Sequence, residues 1–357
     1  MTKVQPRFGV GLLISVIGVF VTTGLGGNTS ALAQTLNNPC PKLLMFDGLD
    51  ISKYQDETQA RYWGQEIGIQ GFFINNVMPG WETSKGDDEK SAGYQAMKQF
   101  QELYSKYGVT DNFIKVASNK PHDWRDPVAQ DRVVSNFRQA AHLARFAGLK
   151  GLALDLEPQA KGLWEIDPTF PEKSKSVRIL GRRIGAAILS EFPDAVVIVL
   201  PEILMFTCPP YKEGTCQVYA LSQQFWDGLI EAHFHQLIIA TENSYDSGSP
   251  ALIATGVRSK YRENLVGNGI NADTVPIALG IWPLGKSYTD KSARSTPEVF
   301  RKRLQEAFHE NSPYVWIYGH GSAWQTDGPY GKGSVDPHFS DFVRVIHQVK
   351  EQCAKVH

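Results

Sequence analysis

A single (β/α)8 barrel is the fold this sequence predicts, and three observations predict it. Eight short apolar runs rich in β-branched and aromatic residues recur along the chain, and amphipathic helical stretches separate them. Successive runs start mostly at intervals of roughly 40 residues, which is room for one helix and two loops. The runs are continuously apolar rather than alternating, as parallel strands covered on both faces should be. A doubly wound open sheet is the competing arrangement. No glycine-rich phosphate fingerprint follows the first run, which counts against its common nucleotide-binding versions.

Taken in order, the strands are "KLLMFD" from Lys42, "IQGFFINN" from Ile69, "NFIKVASN" from Asn112 and "LKGLALDLE" from Leu149. The second half supplies "AVVIVLPE" from Ala195, "QLIIATEN" from Gln236, "TVPIALGIWP" from Thr274 and "YVWIYGHG" from Tyr314. Between the fourth and fifth, Val177, Leu180, Ile184 and Ile188 form one stripe at helical spacing, with Arg178, Arg182 and Glu191 off it. Gly181 and Gly185 on that helix suit a close approach to the sheet. The stretch "VAQDRVVSNFRQAAHLARFAG" from Val128 repeats the pattern, and Gly148 fits a helix C-cap. The segments 77–93, 158–172, 205–217 and 325–335, rich in Gly, Pro and aromatics, are loop insertions, and no internal domain boundary appears.

The ends carry a different signal. Lys3 and Arg7 precede a long apolar run, and Ala31-Leu32-Ala33 fits the small-residue rule for cleavage before Gln34. Residues 1–33 are therefore expected to be a secretory signal peptide, with a single membrane anchor as the alternative. Residues 34–357 are expected to form the barrel, secreted or periplasmic, with no stable membrane insertion after cleavage. A net charge of −1 offers no basic face for nucleic acid. The four cysteines suit disulfides in an exported chain. Cys208 and Cys216 share one short loop, so their pairing is the cheapest, and Cys40 with Cys353 would then join the two ends.

The stretch "GLALDLEP" directs the functional reading. Side chains alternate along a strand, so Leu152, Leu154 and Leu156 share one face, and Ala153, Asp155 and Glu157 share the other. Two carboxylates on the inner face at the C-terminal end of a barrel strand stand where such enzymes build their active sites. Adjacent like charges raise one pKa, which keeps one carboxylic acid protonated near neutrality. A buried ion pair with a barrel lysine or arginine is the structural alternative. Asp47, Glu202 and Glu242 end the first, fifth and sixth strands, and Asn75 and Asn119 close the second and third. Acids around one mouth suit glycoside hydrolysis. Oxygen ligands also suit a divalent cation, but no histidine lies at a fixed spacing from them, and no metal or other cofactor is called for. Trp81, Trp124, Trp164, Trp282 and Trp324 follow strand ends, where flat rings could stack on sugars. His320 ends the eighth strand between glycines.

"KGLALDLEP" resembles the strand-four signature of family 18 glycoside hydrolases (chitinases and relatives), D-x-x-D-x-D-x-E. Asp155 and Glu157 match its last two acids, while Lys150 and Ala153 replace the two earlier ones. The resemblance implies a barrel, a general acid at Glu157 and an Asp155 that orients the substrate's own N-acetyl group. It also implies a floor tryptophan, for which Trp324 is the candidate, and a strand-six tyrosine, for which Tyr245 is nearest. In other barrel glycosidases the nucleophile stands on strand four, so that Asp155 attacks and Glu202 or Glu242 protonates. The expectation is an exported glycoside hydrolase acting on a polysaccharide or glycan. A non-catalytic carbohydrate-binding barrel and a metal-dependent hydrolase or lyase are its rivals.

Overall fold

The computed structural model describes residues 40–46, 51, 55–78, 81, 89–117, 124–157, 163–200, 221–233, 236–245, 249–283, 295–310, 312–319, 324 and 339–356. Eight parallel strands close into a barrel in chain order. They are β1 (Lys42–Phe46), β2 (Gly71–Met78), β3 (Phe113–Ala117), β4 (Gly151–Asp155), β5 (Val196–Leu200), β6 (Leu237–Thr241), β7 (Ile277–Ile281) and β8 (Tyr314–Tyr318). The last strand closes on the first, in register from Lys42 opposite Tyr314 to Phe46 opposite Tyr318. The expected (β/α)8 barrel is the observed fold, and the closed sheet excludes the open one.

A helix follows each strand. These are α1 (Glu57–Arg61, widening into a π-helical stretch over Tyr62–Ile67), α2 (Ala92–Ser105), α3 (Pro127–Ala147) and α4 (Lys173–Glu191). The second half adds α5 (Ser222–Glu231), α6 (Pro250–Gly267), α7 (Pro297–Phe308) and α8 (Phe339–Val356). Local punctuation sets several of their ends. Asp126 caps α3 by accepting from the Val128 amide at 2.9 Å, with Pro127 in the first turn. Gly148 ends α3 at φ +74°, donating its N–H to the Ala144 and Arg145 carbonyls. Thr296 and Pro297 open α7 in the same way.

Strand alternation splits the core into two compartments. Leu152, Leu154, Val197, Val199, Ile239, Leu279 and Val315 face outward and pack with the helices. Leu44, Phe73, Phe113, Ala153, Ile198, Ala240, Ala278 and Trp316 fill the barrel itself. Burial of each large side chain contributes roughly 2 kcal/mol, so the two layers together fix which face every strand presents.

One expectation changes here. Gly181 serves a helix–helix contact rather than a helix–sheet one. A Cβ on it would lie 2.4 Å from the Phe225 carbonyl oxygen, and a Cβ on Gly228 of α5 would lie 2.0 Å from that of Arg178. The two backbones touch, and Arg178 then reaches across to Glu231, donating from Nε at 2.7 Å. Gly228→Ala must push α4 and α5 apart, and we expect it to lower stability by about 2 kcal/mol, measured by urea unfolding.

The first strand and the last helix are tied. Cys40, just ahead of β1, is bonded to Cys353 in α8, across 313 residues of sequence. The expected Cys40–Cys353 pairing is present; Cys208 and Cys216 lie outside the described residues. A cross-link over so long a loop restricts the unfolded chain strongly, so Cys353→Ser should cost about 4 kcal/mol. A melt with and without reductant checks this: with reductant present, the wild type and the variant should share one midpoint. Among the described residues no helix is long and apolar enough to cross a membrane.

Candidate active site

The C-terminal end of β4 carries the pair singled out in the sequence. Asp155 is 2% exposed, ends the strand and points into the barrel beyond Ala153. Both its oxygens are engaged. The Lys115 ammonium donates to Oδ2 at 2.9 Å, and the backbone amide of Glu157 donates to Oδ1 at 3.1 Å. Glu157 lies two residues on and is partly buried. Burial first, and then the neighbouring Asp155 charge, push its carboxyl up to about 7 from an ordinary 4.5, while Lys115 pulls the other way. The two acids therefore differ in kind: one is clamped by donors, and the other is held in its protonated form up to neutrality.

The ion pair weighed as the structural alternative for Asp155 is thus present, with Lys115 of β3. Lys115 was not picked out from the sequence, yet the signal was there. In "NFIKVASN" it shares a face with Phe113, so a lysine on the inner side of an apolar strand requires a partner inside the barrel. Its ammonium also sits 4.7 Å from the centre of the Phe46 ring.

Across the mouth, Tyr245 follows β6 and reaches into the barrel. Its hydroxyl is buried with no hydrogen-bond partner among the described residues. Burial, then the charges of Glu242, Tyr318, Glu157 and Asp155, raise its pKa, so the phenol is a proton donor facing the acids. Sequence sets this placement. Gly280 on β7 has no side chain, and a Cβ there would stand 2.7 Å from the Tyr245 ring and 2.8 Å from that of Trp316. Ser244 Oγ locks the turn by donating to the Gly280 carbonyl at 2.8 Å and accepting from its amide at 2.9 Å. Arg303 of α7 donates to the Tyr245 carbonyl at 3.0 Å.

An aromatic wall continues from there. Tyr245 stacks on Tyr318 at 5.4 Å, with planes 7° apart, and Trp282 stands edge-on to both at 5.8 and 5.4 Å. Phe46, Trp282 and Tyr318 are only partly buried, whereas Trp316 beneath them is fully enclosed. Strand eight thus contributes Tyr314, Trp316 and Tyr318 to the inside at every second residue, a pattern the sequence contained and the tryptophan count obscured.

The tryptophan rim expected from the sequence is mostly elsewhere. Trp81, Trp124 and Trp164 are buried together in the outer layer, Trp164 lying 5.5 Å from Trp81 and 6.0 Å from Trp124. Trp324 is 1% exposed and packs on Phe339 and Phe342 of α8, so it does not floor the mouth. Large rings beyond a strand end gain more by covering the helix tops than by standing in water. Of the five, only Trp282 belongs to the inner cluster.

The remaining candidates divide by position. Asn75 ends the inner run of β2, and its Oδ1 is buried with no partner among the described residues. Glu242 directly follows β6 and is partly buried. Asp47, Asn119, Glu202 and His320 lie outside the described residues. Among those described, no group of three or more His, Cys, Asp or Glu could hold a metal ion.

No family model and no curated protein matches the chain. Solved structures do. The chain is similar to an endo-β-1,4-mannanase from Thermotoga petrophila (TM-score 0.53, 10% identity, covering 89% of this chain and 78% of that one). It is similar also to the catalytic domain of a chitinase from Pyrococcus furiosus (0.52, 13%, 88% and 97%) and to a chitinase from Bacteroides thetaiotaomicron (0.50, 11%, 87% and 96%). At such identities the likeness is one of fold alone, a (β/α)8 barrel.

Proposed function

We propose that this chain is an exported glycoside hydrolase acting on a polysaccharide or glycan, with Glu157 as the general acid. The observation that carries the reading is the asymmetry of the strand-four pair, in which a donor-clamped Asp155 stands beside a Glu157 protonated up to about pH 7. Glycoside cleavage needs both kinds of carboxyl group. Glu157 gives its proton to the glycosidic oxygen as the bond from that oxygen to the anomeric carbon breaks. Asp155 supplies negative charge beneath the positive charge that grows on the sugar. Water adds to the sugar and returns a proton to Glu157. Trp282 and Tyr318 offer ring faces to a pyranose. The buried Tyr245 hydroxyl and the Asn75 oxygen offer one donor and one acceptor to its substituents. The mannanase and chitinases to which the barrel is similar perform chemistry of this class. The Cys40–Cys353 bond suits an oxidising compartment outside the cytoplasm.

The test is release of reducing ends from a broad panel of polysaccharides and aryl glycosides by the purified secreted chain. Turnover on any of them supports the reading. Binding to a glycan without turnover on any would favour a non-catalytic carbohydrate-binding barrel instead.

A further inference from the structure

Lys115 and Ala153 stand opposite each other in the register of β3 and β4. The methyl group of Ala153 leaves open the inner space beside Asp155, and the lysine side chain crosses it to reach the carboxylate at 2.9 Å. Its ammonium is backed by the Phe46 ring at 4.7 Å, and the lysine and aspartate side chains are 15% and 3% exposed. A lone buried ammonium would be costly, and so would a lone buried carboxylate. The pair removes both costs, but it does something further to the site.

Two carboxyl groups side by side share one proton, and which of them holds it depends on the donors around them. Both oxygens of Asp155 already face donors, the Lys115 ammonium on one side and the Glu157 amide on the other. We propose that Lys115 is a positioning residue: by pairing with Asp155 beside Glu157 it offsets the aspartate's charge and keeps the Glu157 proton releasable, and the small residue at Ala153 is what lets it do so. The inference rests on Glu157 being the acid of the proposed reaction. The charged and titratable groups around the pair, among the described residues, are Lys115 from β3, Asp155 from β4, Glu242 and Tyr245 after β6, and Tyr318 from β8, which stacks on Tyr245. Lys115 is the only cation among them, so no other described group can take over its role.

The experiment is a titration of the Glu157 side-chain carboxyl by 13C NMR in the full folded chain, assigned by its disappearance in Glu157→Gln. It is run on the wild type, Lys115→Met, Lys115→Arg and Lys115→Gln, alongside the pH dependence of kcat/KM. The wild-type midpoint is expected near 7. In Lys115→Met it should rise by about one pH unit or more, because the cation paired with Asp155 is gone. Lys115→Arg should restore most of the difference. Should the methionine variant fail to fold, Lys115→Gln keeps a hydrogen-bond donor of similar reach without the charge and should show the same rise. An unmoved midpoint in a folded neutral variant overturns the inference, whatever the activity does. A shifted midpoint in a protein that turns over no glycoside would sustain the Lys115 assignment while sinking the hydrolase reading, so the two fail separately.

Discussion

In the proposed reaction Glu157→Gln should abolish most of the turnover, and it should make the protein more stable at pH 8. Loss of a positioned general acid removes about 10³-fold in rate, and glutamine keeps the shape while having no proton to give. Stability moves the other way because of where the wild-type carboxyl titrates. Its folded pKa of about 7 lies above its ordinary 4.5, so between those values the folded state holds a proton that the unfolded chain has released. Wild-type stability therefore falls as pH rises through that window, and by pH 8 the ionised Glu157 bears the full cost of burial and of the Asp155 charge. Glutamine bears neither. After allowance for solvent screening at a partly open site, the gain is about 2 kcal/mol at pH 8, fading to nothing below pH 4.5. Urea unfolding at pH 4.5 and pH 8 checks the sign. A variant that is inactive but equally stable at both would mean that Glu157 is an ordinary exposed carboxylate.

The barrel was legible in the sequence because a (β/α)8 fold repeats one unit. Each strand from "KLLMFD" to "YVWIYGHG" is buried on both faces, so composition alone marks it, and errors in one element do not propagate to the next. The inner face of β4 was legible for a related reason. Period-two alternation fixes Ala153, Asp155 and Glu157 to one side wherever the strand begins. The partners of those acids could not be read so directly. Lys115 lies 40 residues upstream of Asp155, and only closure of β3 onto β4 brings the two together. The tryptophans misled for a different reason. Sequence puts Trp81, Trp124, Trp164 and Trp324 just beyond strand ends, but a loop residue carries no periodicity to say whether it turns inward or out over the helices. Tyr318 is the converse case: it lies within a strand, so its direction follows from that of Tyr314 and Trp316.

Asp155→Asn provides the second large effect, and its signature opposes that of Lys115→Met. Asparagine fills the same volume and can still accept from the Glu157 amide, but it places no negative charge beneath the sugar. Loss of that charge, which in the proposed reaction stabilises the cationic transition state, should cost about 10²- to 10³-fold in kcat. It also removes the second-largest cause that raises the Glu157 pKa while leaving the one that lowers it, the Lys115 ammonium. The descending limb of kcat/KM, which follows deprotonation of the acid, should therefore move to lower pH, whereas Lys115→Met moves it higher. The same substitution strands Lys115 in the barrel without a counter-charge, at a cost of about 3 kcal/mol. Combining the two changes then becomes informative. Lys115→Met/Asp155→Asn leaves neither charge unpaired, so stability should recover most of what Asp155→Asn alone lost, while the rate should not recover at all. An ion pair present only to hold β3 against β4 would behave differently, because restoring stability would then restore activity with it.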